Sequence, residues 1–153
     1  MLLILCILNL FCMNAFAETL ISNEPLVIKG DEAFAVGKYQ QALRYYQRVP
    51  TDDNNKTVLH IKIARCFQYT GINHSALVVI NGILTNQPDH IEALHIKGEV
   101  LEAQQDFEQA LALYKKAEAL DPTNKKTYIN LANVLRKMGR DTQASLAFEK
   151  VIN

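Results

Sequence analysis

Apolar residues in this chain recur with two nested periods. Over short stretches they fall three and four residues apart, as in Leu94, Gly98 and Leu101, and again in Phe107, Ala110, Leu111, Tyr114 and Ala117. That spacing lines one side of an α-helix. Over longer distances the pattern returns every 34 residues, with Ala42, Ala76, Ala110 and Ala144 in phase. Counting units from residues 23, 57, 91 and 125, the eighth position is always small: Gly30, Ala64, Gly98 and Ala132. The twenty-fourth, four places after each alanine, is always large: Tyr46, Ile80, Tyr114 and Phe148. Small residues let two helix axes approach, and large neighbours fill the space around the crossing. The pattern therefore predicts an all-α chain of four units, each a pair of antiparallel helices.

The breaks between helices are typed as well. The fifteenth position holds Gly37, Gly71, Gln105 and Gly139. Glycine enters the left-handed backbone region without steric cost and commonly follows a helix end. Gln105 departs from the rule, which predicts either a different turn or local strain. Asp106 is placed to cap the helix that follows it. Asn55, Asp89 and Thr123 are the expected N-caps at the links between units, with Asp89 and Glu92 at capping-box spacing, while Pro88 and Pro122 stop the preceding helices. Pro50 followed by TDDNN predicts an early end to the second helix and the longest polar loop.

A 34-residue unit with these small and large positions resembles the tetratricopeptide repeat family. The likeness is strongest over 91–124, which carries DFEQALALYKKAEALDP. It implies a right-handed α-solenoid, with repeats at 23–56, 57–90, 91–124 and 125–153 forming one domain over 23–153. Stability would come from stacking of neighbouring units. The resemblance further implies that first helices line a concave groove for a peptide or helix of a protein partner, with the second, fifth, ninth, twelfth and thirteenth positions facing it. Carried over, the first repeat supplies Glu24, Val27, Asp31 and Phe34, and the second Val58, Ile61, Arg65, Gln68 and Tyr69. The third supplies Glu92, His95, Glu99 and Glu102, and the fourth Lys126, Ile129, Asn133, Arg136 and Lys137. This groove runs from an apolar half through an acidic middle to a basic end.

Two readings of that gradient compete. In one, Glu102 and Arg136 simply bridge each other across adjacent helices. In the other, apolar anchors grip a partner while charges set its direction, and replacing Phe34 and Tyr69 by alanine removes binding with the fold intact. The carboxylate clamp of chaperone-binding members is absent, since its places hold Val27, Asp31, Lys62, Glu92 and Ile96.

The first residues follow another pattern. Met1 to Met13 is apolar apart from Asn9, and Ala15 and Ala17 offer the small residues of a signal-peptidase site. Residues 1–17 read as a cleaved signal peptide and 18–22 as a short linker. With no Lys or Arg before Lys29, an uncleaved membrane anchor is the alternative. After cleavage Cys66 is the one remaining thiol, expected as a buried core residue rather than a reactive one.

Lys plus Arg and Asp plus Glu each number 16, for a formal net charge of zero. No basic stripe points to nucleic acid. His60, His74, His90 and His95 lack the i, i+4 pairing of a helical metal site, and phosphate loops, nucleophile elbows and cysteine pairs are missing. The expectation is a non-enzymatic scaffold without cofactor or metal. Its partners are expected to be proteins or peptides, with a membrane involved only if the N-terminus stays attached. The signal-like segment makes an exported, bacterial periplasmic protein the expectation, and the resemblance implies a role in envelope assembly; the alternatives are a membrane-anchored tether or a piece of a longer array. Val134, Met138, Val151 and Ile152 are expected to be partly uncovered, offering a face for self-association.

Overall fold

The computed structural model describes residues 25–152, and among them all regular structure is helical. The helices are α1 over residues 25–35, α2 Tyr39–Tyr46, α3 Lys56–Tyr69, α4 Asn73–Asn86, α5 Ile91–Ala103, α6 Phe107–Leu120, α7 Lys125–Lys137 and α8 Asp141–Ile152. α3 packs on α4, α5 on α6 and α7 on α8, and each later pair leans on its predecessor through α2–α3, α4–α5 and α6–α7 contacts. The first helices also touch, α3 to α5 and α5 to α7, with no comparable contact between described second helices. One layer is thus close-set and the other spread, which curves the array into a solenoid.

The core explains why stacking is obligatory. Its three clusters each straddle a boundary between units. One joins Ala42 and Tyr46 to Leu59 and Cys66, the next Ala64 and Ile80 to Ala93 and Ile96, the third Ala110 and Tyr114 to Tyr128, Leu131 and Val134. A unit cut from its neighbour would expose half of such a cluster. Cys66 is fully buried, and burial pushes its thiol up to about 11, so it stays protonated and unreactive near neutral pH.

Close helix crossing depends on the eighth position. A Cβ at Gly98 would lie 2.4 Å from Tyr114 Cε1, and one at Gly30 only 2.3 Å from Tyr46 Cε1. Where the eighth residue is alanine, as at Ala64 and Ala132, the twenty-fourth is Ile80 or Phe148 instead of tyrosine. The two positions compensate each other.

All four intra-unit turns share one hydrogen-bond pattern. Lys38, Ile72, Asp106 and Arg140 each donate their backbone N–H to the carbonyl five residues back, and the residue before each donates three back. This is the Schellman closure, which needs a left-handed residue. Gln105 supplies it at φ 64°, beside Gly37, Gly71 and Gly139 at 72° to 76°. Of the two expectations, the strained residue is the outcome; the turn itself is unchanged.

The caps divide. The Asp106 carboxylate accepts from Gln109 N–H as expected. Asp89 and Thr123 are one residue early: the caps are His90, whose Nδ1 accepts from Ala93, and Asn124, whose side chain accepts from Thr127. Asp89 instead pairs with Lys116 at 2.9 Å, so no capping box forms with Glu92. Asn55 holds the N-cap place of α3 without capping it, because its Oδ1 accepts from the Asp52 N–H. The longest inter-unit link does follow α2, spanning 47–55 against 87–90 and 121–124.

Val134 corrects another expectation, being fully buried. Met138 and Val151 are half-buried, and the exposed apolar residues of α8 are Leu146 and Ile152. No described helix is long and apolar enough to cross a membrane. The signal-like segment and Glu24 lie outside the described residues.

Candidate docking groove

Polar and ionic side chains tie the first helices together like rungs. Lys62 Nζ donates to Asp31, Arg65 to Glu92 at 3.2 Å and Gln68 Nε2 to Glu99 at 2.7 Å. Lys126 pairs with Glu99 at 3.3 Å, and Lys137 with Glu102 at 2.8 Å. The hydrogen-bonded partners are 27, 31 or 35 residues apart. Steps of four describe one ridge of a helix. One ridge of each first helix therefore faces its predecessor, and among described ion pairs only Arg65 and Glu99, at 3.7 Å, join equivalent residues 34 apart. Glu102 accordingly binds Lys137 and not Arg136, whose guanidinium reaches only Asn133 at 3.5 Å.

Glu99 is the centre of this ladder. Its carboxylate receives Gln68, Lys126 and Arg65, with Asn130 at 3.5 Å. Burial works to raise its pKa, but those partners outweigh burial and hold it below the usual value. Asp31 behaves alike: burial opposes ionisation, and the Lys62 ammonium and Tyr46 hydroxyl override it. Tyr46 Oη donates to Asp31 at 2.6 Å, and Tyr114 Oη to Glu102 at 2.6 Å. Burial and these carboxylates raise both phenols above their ordinary range.

A cleft of about 440 Å³ opens between α1 and α3 and reaches the start of α5. Phe34, Ala35, Val58 and Ile61 give it apolar walls, and Asp31, Lys62, Arg65 and Glu92 border them. Beside it Phe34 meets Tyr39 and Tyr69 edge-on at centroid distances of 5.1 and 5.6 Å, while Tyr39 and Tyr69 stack at 4.7 Å. Phe34 and Val27 also pack on the first core cluster. Removing Phe34 would thus cost stability as well as surface, and only the half-exposed Tyr69 can be tested as an anchor alone.

Known proteins share this architecture. The tetratricopeptide repeat profile matches residues 101–153. FK506-binding protein-like of Mus musculus is 32% identical over 127 residues, and its Homo sapiens counterpart 31%, in each case over 78% of this chain and 36% of the relative. The chain thus spans about a third of those relatives' length. Among solved structures, MamA of Desulfovibrio magneticus superposes with a TM-score of 0.70 at 22% identity, covering 85% of this chain and 73% of that one. A thermophilic repeat protein of Thermus thermophilus gives 0.76 at 18% identity with the same coverages. Residues 101–153 thus match the tetratricopeptide repeat family in sequence, and the described array shares the fold of these solved repeat structures.

Within this tetratricopeptide array the expected groove residues separate into classes. Asp31, Arg65, Gln68, Glu99, Glu102, Asn133, Arg136 and Lys137 do come together along the first-helix layer, most of them bonded to one another. Ile61 is buried, and contributes to cleft wall and core alike. His95 is misplaced by the carried-over positions. It is 2% exposed and shares a 2.8 Å hydrogen bond with Thr127, between α5 and α7, so it offers a partner nothing. Lys62, Tyr46 and Tyr39 join the site without having been expected there; Lys62 stands 31 residues after Asp31, off the 34-residue phase that the carried-over positions follow. Among described buried side-chain atoms, Gln68 Oε1 alone has no hydrogen-bond partner. No group of three potential metal ligands occurs among the described residues. Arrays of this family are typically non-catalytic and bind proteins.

Proposed function

We propose that the chain is an adaptor that docks a segment of a protein partner on its first-helix layer, in the cleft between α1 and α3 and on the Tyr69 ring beside it, and performs no chemistry there. The observation that carries this reading is an open apolar wall beside rigidly cross-braced helices. Val58 is 60% exposed and Tyr69 52%. Both stand on the layer where the solenoid is close-set, and the ladder keeps the underlying backbones from collapsing over them. A preformed surface of this kind limits the ordering cost of binding.

The finer reading is an exported protein taking part in assembly of a bacterial envelope complex. It is supported by the apolar run from Met1 to Met13 and the small residues at Ala15 and Ala17. N-terminal sequencing of the mature protein tests it: a start at Glu18 fits export, and an intact Met1 favours the anchored tether.

The docking reading is tested by immobilising the full chain and its Tyr69→Ala variant for affinity capture from extracts of the native cell. Proteins retained by the parent and lost with Tyr69→Ala support the groove. An identical retained set with both proteins removes it.

A further inference from the structure

The charges around the cleft cancel. Four ionised side chains border it, two acidic and two basic, and they are closed on each other as Lys62–Asp31 and Arg65–Glu92. The remaining polar lining is committed too. Tyr46 Oη donates to Asp31, and His90 Nδ1 accepts the Ala93 N–H at the α5 N-terminus. Behind Arg65, Glu99 is engaged by Gln68 and Arg65 of α3 and by Lys126 of α7. A charged group entering the cleft meets partners already closed on each other and gains little from them, since such partly exposed ion pairs contribute only weakly. Apolar side chains face no such obstacle: they displace water from Phe34, Ala35, Val58 and Ile61, and the volume is typical of sites that enclose a few such groups.

We infer that the occupant of this cleft is an uncharged, apolar stretch of a protein partner, selected by side-chain burial, with the ionic groove residues serving as braces between helices and not as contacts. The inference rests on the docking reading above and names the chemistry of its partner. It reverses the expectation that charge steps along the groove direct the ligand.

A displayed library of random 12-residue peptides, selected on the full chain, tests it. Retained peptides should share apolar positions and no common charge, and the strongest should lose less than about twofold in affinity between 50 and 500 mM NaCl, where surface charges are screened. Val58→Asp should weaken it by about tenfold or more, while Val78→Asp, a comparably exposed site on α4, should leave it unchanged. Circular dichroism of both variants checks the fold. A shared charge with a steep salt dependence, still sensitive to Val58→Asp, overturns the inference and leaves the docking reading standing. Peptides indifferent to Val58→Asp, or no retained peptide, overturn the docking reading itself.

Discussion

Gly98 and Tyr114 show how a pair of residues, rather than either one, is the unit of design. The Tyr114 ring lies where a Gly98 side chain would be, and its hydroxyl ends on Glu102. Units two and four reach the same crossing with Ala64 and Ile80 or Ala132 and Phe148. Gly98→Ala should therefore destabilise despite alanine's better helix propensity, because the ring is fully buried and cannot swing away. A net loss of up to about 2 kcal/mol is expected, an overpacking cost of about 1 to 3 kcal/mol less roughly 1 kcal/mol of propensity. Adding Tyr114→Ile recreates the arrangement of the second unit. The double variant should lose at least about 1 kcal/mol less than the sum of the singles in urea unfolding. Additive losses would mean that the alternation of glycine with tyrosine is incidental.

The same logic applies to a whole turn. All four helix pairs close through one Schellman pattern, yet only α5–α6 asks a residue with a side chain to hold positive φ. A left-handed non-glycine residue costs about 1 to 2 kcal/mol, and glycine gives back about 0.5 to 1 through its freer unfolded chain. Gln105 is exposed, so Gln105→Gly loses no packing and should raise stability by about 0.5 to 1 kcal/mol, read as a higher urea midpoint with an unchanged slope. A lower midpoint would show that the side chain does more than tolerate the turn. The turn was legible in the sequence because its requirement is a backbone one and three glycines declare it. The caps were less so. Asp89 and Thr123 are good capping types, but capping depends on which side chain reaches the free N–H groups, and the chain enters α5 and α7 one residue later, at His90 and Asn124. Histidine is an uncommon cap, and residue type alone does not point to it.

Across the molecule, the fold could be read because one period governs every helix, whereas the groove could be read only in outline. Its contacts depend on how far each pair is rotated against the next, a quantity that in-phase residues do not encode; hence hydrogen-bonded partners at 27, 31 and 35 residues, with the 34-residue step met by the longer Arg65–Glu99 ion pair. That rotation also buries His95 against α7, with consequences for the stability of the whole stack. Burial lowers its pKa first, and Lys126 of α7 and Arg65 of α3 add to this against the opposing pull of Glu99 and Glu92 on its own helix, leaving it at about 4. The folded chain keeps the ring neutral down to that pH, while the unfolded chain takes up a proton near pH 6.5. Between these values the unfolded state binds more protons, so unfolding free energy falls as pH falls. From pH 7 to 4.5 the loss from this one group should be roughly 2 kcal/mol. His60, lowered more weakly by burial, acts in the same direction. Below that window the loss passes to Asp31 and Glu99, whose depressed carboxyls stabilise the fold only while ionised. Urea midpoints measured from pH 7 to 3 should therefore fall in two stages. His95→Gln keeps a hydrogen-bonding group for Thr127 but does not titrate, so it should flatten most of the upper stage and spare the lower. An upper stage unchanged by His95→Gln would place the proton uptake elsewhere, and would remove the buried His95–Thr127 contact as the link between α5 and α7 that senses pH.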